Sequence, residues 1–230
     1  MAAAHPATAV LSSLALKGVL ESSRSEFERA VGPLDLRFDA TRAILERLAQ
    51  GAHADLLILT SEALEDLRRK GEVTQARALG SSGVGLAVRA GAARPDIGSP
   101  EALVRTLLSA NSVAHSKIGA SGIYFSELLE RLGVSGKLKK RIVVEKGPVG
   151  LAVAAGEAEI GVQQLCELAP VRGIDIVGPL PAPLQRLTYF SAGVASQARN
   201  PQAAIGLIAL LMSDAGRAAM LAGGMEPAAD

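Results

Sequence analysis

Small hydroxylated residues and glycines recur wherever an apolar run gives way to a helical one. Ser12-Ser13 close "ATAVLSS", Ala40-Thr41 follow "LDLRFD", Ser121-Gly122 open "SGIYFSELLERLG", and Gly147-Pro148-Val149 follow "RIVVEK". The chemistry such groups do together is anion binding. The first N–H groups of a helix lack intrahelical partners and carry about half a positive charge. Hydroxyls from Ser13, Thr41 and Ser121 add side-chain donors, so several converging helix starts hold an anion without lysine or arginine. Pro148 reads as a first helical position, where a missing N–H costs nothing. Taken one at a time, each junction is better explained by ordinary helix capping, and only the four together point to an anion site.

Other groups lie beside these junctions. Arg42 is either a surface partner of Glu46 at i+4 or a clamp for a carboxylate. Lys117 reads as a solvated loop residue, and His115, just before it, as a core or rim histidine. Gln163 and Gln164 end the strand "EIGVQQ"; both amides reach a ligand, or one faces in and its neighbour out, since strand side chains alternate. The stretch "GASGIYFSELLERLG" predicts a helix from Tyr124, with Phe125, Leu128, Leu129 and Leu132 on one face and a stop at Gly133. Ser121-Gly122 are expected to keep the helix entrance bare for a ligand oxygen.

The elements that must position these residues alternate. Strand "ATAVLSS" leads into a helix through "LALKGVLESSRSEFERAVG". Strand "LDLRFDA" precedes helix "TRAILERLAQG", and the wholly apolar strand "ADLLILTS" precedes helix "EALEDLRRKG". This order predicts an α/β fold with mostly parallel sheets flanked by helices. "SSGVGLAVRAG" reads as a crossover strand into a second α/β region. That region holds helix "PEALVRTLLSA", strand "SVAHS", strand "RIVVEK", helix "PVGLAVAAGEA" and strand "EIGVQQ". A proline-rich loop and a strand within "DIVGPLPAPLQRLTYFSAGVAS" return the chain, and two apolar helices end it. The expected lobes are 1–83 with 187–230, and 84–186, with a ligand cleft between them.

Composition narrows the function. The 230 residues carry 24 basic and 23 acidic side chains, a formal charge of +1. That balance, with only 3% aromatic residues, argues against nucleic acid as a partner. The lone Cys166 excludes an internal disulfide, and His5, His53 and His115 lack metal-ligand spacing, so no metal and no cofactor is expected. The longest apolar run, Ala203 to Met212, falls short of the about 20 residues a membrane span needs, so no membrane insertion is expected. "MAAAHPATAVLSSLALKG" has no basic start and no long apolar run, predicting a cytoplasmic chain as written, or a periplasmic one if a signal was removed.

The order of these segments resembles the periplasmic-binding-protein type II family, and within it the molybdate-binding proteins of ABC transporters and their aconitate-isomerase-like relatives. "VLSSLALKGVLE" is similar to that family's first strand and serine loop, and "FDATRAILERLAQGAHADLLILT" to its second junction and third strand. "ASGIYFSELLERLG" resembles its ligand-loop helix, and "SDAGRAAMLAGGMEP" its last helix. The resemblance implies a two-lobed α/β fold and places ligand contacts at Ser13, Thr41, Ser121, Gly122, the Pro148-Val149 turn and Gln164. Gln164 stands where molybdate binders have a tyrosine, and Ser121 where they have an alanine; both departures favour a larger polar ligand such as an organic di- or tricarboxylate.

Two functions follow. The first is a solute-binding protein of the ABC-transporter type that closes on a small anion, either an oxyanion or an organic carboxylate, with a membrane permease as partner if exported. The alternative is a cytoplasmic isomerase or tautomerase of an unsaturated organic acid, with His115 or Lys117 as the proton-moving group.

Overall fold

The computed structural model describes residues 6–229, so His5 lies outside the described residues. The chain divides into two compact units, Met1–Ser81 with Tyr189–Asp230, and Ser82–Thr188. It passes from one to the other at Ser81-Ser82 and back at Thr188-Tyr189.

The first unit begins with β1 (Thr8–Ser13), α1 (Lys17–Ser22), α2 (Arg24–Val31), β2 (Leu34–Asp39), α3 (Thr41–Ala49), β3 (Leu56–Thr60) and α4 (Ser61–Arg69). β1 lies between β2 and β3 and runs parallel to both. All three strands therefore deliver their C-terminal residues to one edge. β3 is "LLILT", apolar on both faces and buried along Leu56 to Leu59, as a central strand must be. Its Leu57 and Leu59 pack with Leu11, Ile44, Leu64 and Leu67 into one core. The single helix expected from Leu14 to Gly32 is instead a short 3₁₀ turn followed by α1 and α2, broken at Ser23. The Ser22 hydroxyl donates to Val19 O (3.2 Å) at the break, the kind of local bond that competes with helix continuation.

β4 (Val73–Arg89) is longer than the expected crossover strand and carries the chain into the second unit. Its first six residues are mostly exposed, so they lack the apolar signal that marks its second half. There follow α5 (Pro100–Ser109), β5 (Val113–Ser116), α6 (Ala120–Arg131), β6 (Arg141–Val144), α7 (Val149–Ala154), β7 (Ile160–Gln164), α8 (Leu165–Leu168) and β8 (Ile174–Pro179). β5 runs parallel to β6 on one side and β7 on the other. β4 lies antiparallel between β7 and β8. β8 falls where a proline-rich loop was expected; its half-buried Ile174 and Ile176 pair with β4, and the prolines begin only at its end.

β9 (Leu187–Ala195) returns the chain and pairs antiparallel with β3. α9 (Pro201–Met212), α10 (Asp214–Ala222) and β10 (Glu226–Pro227) complete the first unit, β10 pairing with Gly80-Ser81 of β4. α9 packs on α2 so closely that a Cβ on Gly206 would meet Val31 Cγ1 at 2.8 Å. Among the described residues no single helix is long and apolar enough to cross a membrane.

Candidate functional site

In the first unit the parallel strands bring three hydroxylated ends to one edge. Ser13 ends β1 opposite Asp39 of β2, and Ser12 lies opposite Ile58 of β3. Ser12 spends its hydroxyl on Ser13 O (2.9 Å). Ser13 does not: its Oγ is buried, the residue 3% exposed, with no hydrogen-bond partner. Thr41, the first residue of α3, accepts the Thr60 N–H on Oγ1 (3.2 Å), which leaves its hydroxyl hydrogen free to donate. The nearby Asp39 carboxylate is neutralised by Arg47 and also accepts the Ala40 amide (2.9 Å). An anion at this edge therefore does not face an uncompensated negative charge. Arg42 is exposed, and its Nε donates to Glu46 Oε1 at 3.2 Å, the i+4 surface pair rather than a clamp.

The second unit repeats the pattern with β5, β6 and β7. α6 starts at Ala120 with Gly119 as its N-cap, four residues earlier than the apolar spacing from Tyr124 suggested. The small residues at its entrance have a local cause. A Cβ on Gly122 would sit 1.9 Å from Ser116 O, and one on Gly119 would sit 2.9 Å from Ser116 Oγ. The end of β5, not a ligand, is what presses on Gly122, and the Gly122 amide is bonded to Gly119 O (3.0 Å). Ser121 is different. It is 1% exposed, and its Oγ has no partner, the counterpart of Ser13 in the other unit. Its neighbourhood is a helix start, where donors gather and negative charge is favoured.

Pro148 is the N-cap of α7, one position ahead of the first helical residue expected for it. The Val149 N–H is already taken: it donates to Gln163 Oε1 at 2.7 Å. Gln163 donates in turn to Glu167, leaving one amide hydrogen. Burial pushes the Glu167 carboxyl up to about 7, with the Gln163 bond pulling the other way. Gln164 is fully buried, and the amide orientation that satisfies its neighbours sends Nε2 to Ser82 O (2.9 Å) and Gly83 O (3.2 Å) while Oε1 accepts from Thr188 (2.6 Å). Both glutamines thus work mainly inside the second unit, Gln163 steadying α7 and Gln164 tying β4 to the start of β9.

Neither proton-moving candidate is free. His115 is buried; its Nδ1 bonds Ser116 O (2.9 Å), its Nε2 accepts from Arg141 Nε (2.7 Å), and its ring meets Phe125 edge-on. Burial first, and the Arg141 charge second, hold its pKa below the usual histidine range, against the Ser116 bond, so the neutral ring is a core element. Lys117 is exposed and paired with both oxygens of Glu145 at 3.0 Å. Cys166 is buried, and burial pushes its thiol pKa up, so it is an inert packing residue.

Two groups escaped the sequence reading. Thr60-Ser61 is a further hydroxylated strand-to-helix junction, findable by the rule that found the others; Ser61 Oγ meets Ser191 Oγ at 2.7 Å. Lys146, between β6 and α7, is exposed, and among the described residues no carboxylate lies within 4.0 Å of it. Its signal was its place in "EKGPVG", one residue before a junction already singled out. Among the described residues, no group of three His, Cys, Asp or Glu is placed to hold a metal ion.

Comparison with known proteins shows the family and the fold. The profile of the bacterial extracellular solute-binding protein family matches residues 9–226. A protein from Pseudomonas sp. named aconitate isomerase is 38% identical over 98% of this chain and 90% of its own length. Among solved structures, the periplasmic molybdate-binding protein of Azotobacter vinelandii superposes with a TM-score of 0.75 at 18% identity, covering 95% of this chain and 98% of that one. A periplasmic thiamin-binding protein does so with a TM-score of 0.72 at 13% identity, covering 98% and 84%. These likenesses bear out the periplasmic-binding-protein type II fold expected from the sequence. One partner in the pair is named for an oxyanion and the other for thiamin, so the fold alone does not choose a ligand.

Proposed function

Because this chain belongs to the bacterial extracellular solute-binding protein family, we propose that it holds a small organic polycarboxylate of the aconitate class. Ser13 and Thr41 are the candidate donors of the first unit, and Ser121 with the first turn of α6 those of the second. The observation that carries this reading is the pair of buried, unpartnered hydroxyls at Ser13 and Ser121. Such a group costs about 1–3 kcal/mol in the empty protein, a cost that a ligand oxygen removes. Lys146 adds a free positive charge next to α7, suited to a further carboxylate of a ligand carrying several. The amides of Gln163 and Gln164, largely spent on the protein itself, leave hydroxyl and helix-start donors to define the ligand. Under this reading the partner is a membrane permease, and the protein works outside the cytoplasm, as the family's description implies.

A second reading is favoured by the 38% identity to a protein named aconitate isomerase across 98% of this chain. Here the bound acid loses a proton from the carbon next to its double bond. The electron pair delocalises toward a carboxylate held by hydroxyls and helix-start amides, and the proton returns at the far end of the allyl system. The double bond moves and no atom is gained or lost. With both ring nitrogens of His115 bonded and Lys117 paired with Glu145, neither is assigned as the base.

One experiment separates the readings. Proton NMR of cis- and trans-aconitate in deuterated water with the protein, alongside calorimetric titration of the same acids, gives three outcomes. Binding without exchange means a receptor, and binding with isomerisation or deuterium uptake means an enzyme. No binding of either acid at millimolar concentration refutes the polycarboxylate assignment.

A further inference from the structure

The second unit carries a cavity at the opposite edge of its sheet, where β5 and β7 begin rather than end. Its volume is about 500 Å³, within the range of about 300–1,000 Å³ typical of small-molecule sites. Val88, Pro95, Ala158 and Ile160 give it an apolar wall, and Arg89, Asn111 and Glu159 bring polar groups to it.

Arg89 and Glu159 both line this cavity, yet they do not pair. Among the described residues no carboxylate lies within 4.0 Å of the Arg89 guanidinium. Gly156 lies beside that guanidinium, where a Cβ would make ordinary contact with Arg89 Nη1 at 3.5 Å, and its φ of +77° disfavours any side chain. Glu159 is held in place. Its Oε2 accepts the Asn111 amide at 2.7 Å, and its own amide donates to Ser112 Oγ at 3.0 Å. Ser112 is buried, and its carbonyl accepts the Ile160 amide at 3.1 Å, so backbone and side chain together fix the acid's position. The other Glu159 oxygen keeps its lone pairs for a donor.

From this juxtaposition, an unpaired guanidinium and an anchored carboxylate on one half-apolar cavity, we propose a second ligand site that takes a small zwitterion, an α-amino acid. Its carboxylate lies on the Arg89 fork, a geometry guanidinium matches with two parallel bonds. Its ammonium lies on Glu159 and the Asn111 side chain, and a short apolar side chain lies against Val88 and Ile160. A dicarboxylate is disfavoured here because Glu159 repels its second charge. The site therefore discriminates against the class of ligand proposed for the hydroxyl-lined strand ends, and it stands or falls independently of that proposal.

The test is a ¹⁵N-resolved NMR titration of the full chain with glycine, L-alanine, L-valine and, separately, succinate. The expected result is saturable shifts of amides 89–93, 111–112 and 156–160 with the amino acids, and none there with succinate. Arg89→Met and Glu159→Gln each weaken the amino-acid response at least tenfold while leaving aconitate binding by calorimetry unchanged. Ser121→Ala leaves the amino-acid response intact. Absence of saturable shifts in these segments up to tens of millimolar amino acid overturns the site, as does equal binding of succinate. Retained amino-acid binding in both Arg89→Met and Glu159→Gln overturns it as well.

Discussion

Replacing Ser121 by alanine is expected to make the empty protein more stable and the ligand weaker. The Ser121 hydroxyl is buried and no protein group bonds it, so in the free protein its desolvation is not offset by a protein hydrogen bond. Such desolvation costs about 1–3 kcal/mol, and removal of the oxygen recovers about 1 kcal/mol of it after the loss of a few dispersion contacts. For a chain of this size that is a rise in Tm of about 2–4 °C. Part of any gain at Ser121 reflects alanine's better helix propensity, because the residue lies in the first turn of α6. Ser13→Ala supplies the control, since Ser13 ends a strand and its hydroxyl is equally unpartnered. The two hydroxyls share no protein partner, so their gains should add to about 4–8 °C in the double variant. With ligand the sign reverses. A hydroxyl donating to a carboxylate contributes about 1.5–3 kcal/mol, so each variant should bind about 10- to 150-fold more weakly. Differential scanning calorimetry without ligand and isothermal titration with aconitate read the two effects separately. If both variants melt lower than the parent and bind within twofold of it, these hydroxyls are ordinary packing groups and the assignment of the site fails.

Gly122→Ala should destabilise the fold by about 3 kcal/mol or more, because its Cβ would sit 1.9 Å from Ser116 O and the helix must shift to relieve it; chemical denaturation measures this, and a near-neutral result would show that the entrance of α6 is loose. Gln164→Met removes the donor from two carbonyls and the acceptor from Thr188 and should cost about 2–4 kcal/mol of stability, while aconitate affinity stays within fivefold. A loss of affinity larger than the loss of stability would return Gln164 to the ligand. For Glu167, burial raises the folded pKa to about 7, so the folded state holds a proton that the unfolded chain releases near its ordinary value. Stability should therefore fall as pH rises from about 4.5 to about 7, by at most about 3 kcal/mol, and then level off. Glu167→Gln should flatten that slope and raise Tm at pH 8, as followed by thermal melts across the range; an unchanged slope would mean Glu167 is solvated and titrates normally.

Much of this protein was legible in its residue order because local rules act on local sequence. The apolar "LLILT" had to be a buried strand, and "FSELLERLG" had to be a helix with one apolar face. Ser13, Thr41 and Ser121 stood out because strand-to-helix junctions in parallel sheets are places where donors collect. What tertiary structure alone decided was how each candidate group is spent. Nothing near Gly122 in the sequence reveals that Ser116 O lies where its Cβ would be. His115 and Arg141 are 26 residues apart, and only the pairing of β5 with β6 puts Nε on Nε2. Gln164 likewise finds Ser82 and Thr188 only because β4, β7 and the start of β9 meet around it. A hydrogen bond tolerates only a few tenths of an ångström in a separation of about 3 Å, and here that separation is set between groups far apart in the chain. Residue type announces which groups can donate or accept, and the packed fold determines which of them, Ser13 and Ser121 here, are left with their hydrogen bonds unmade.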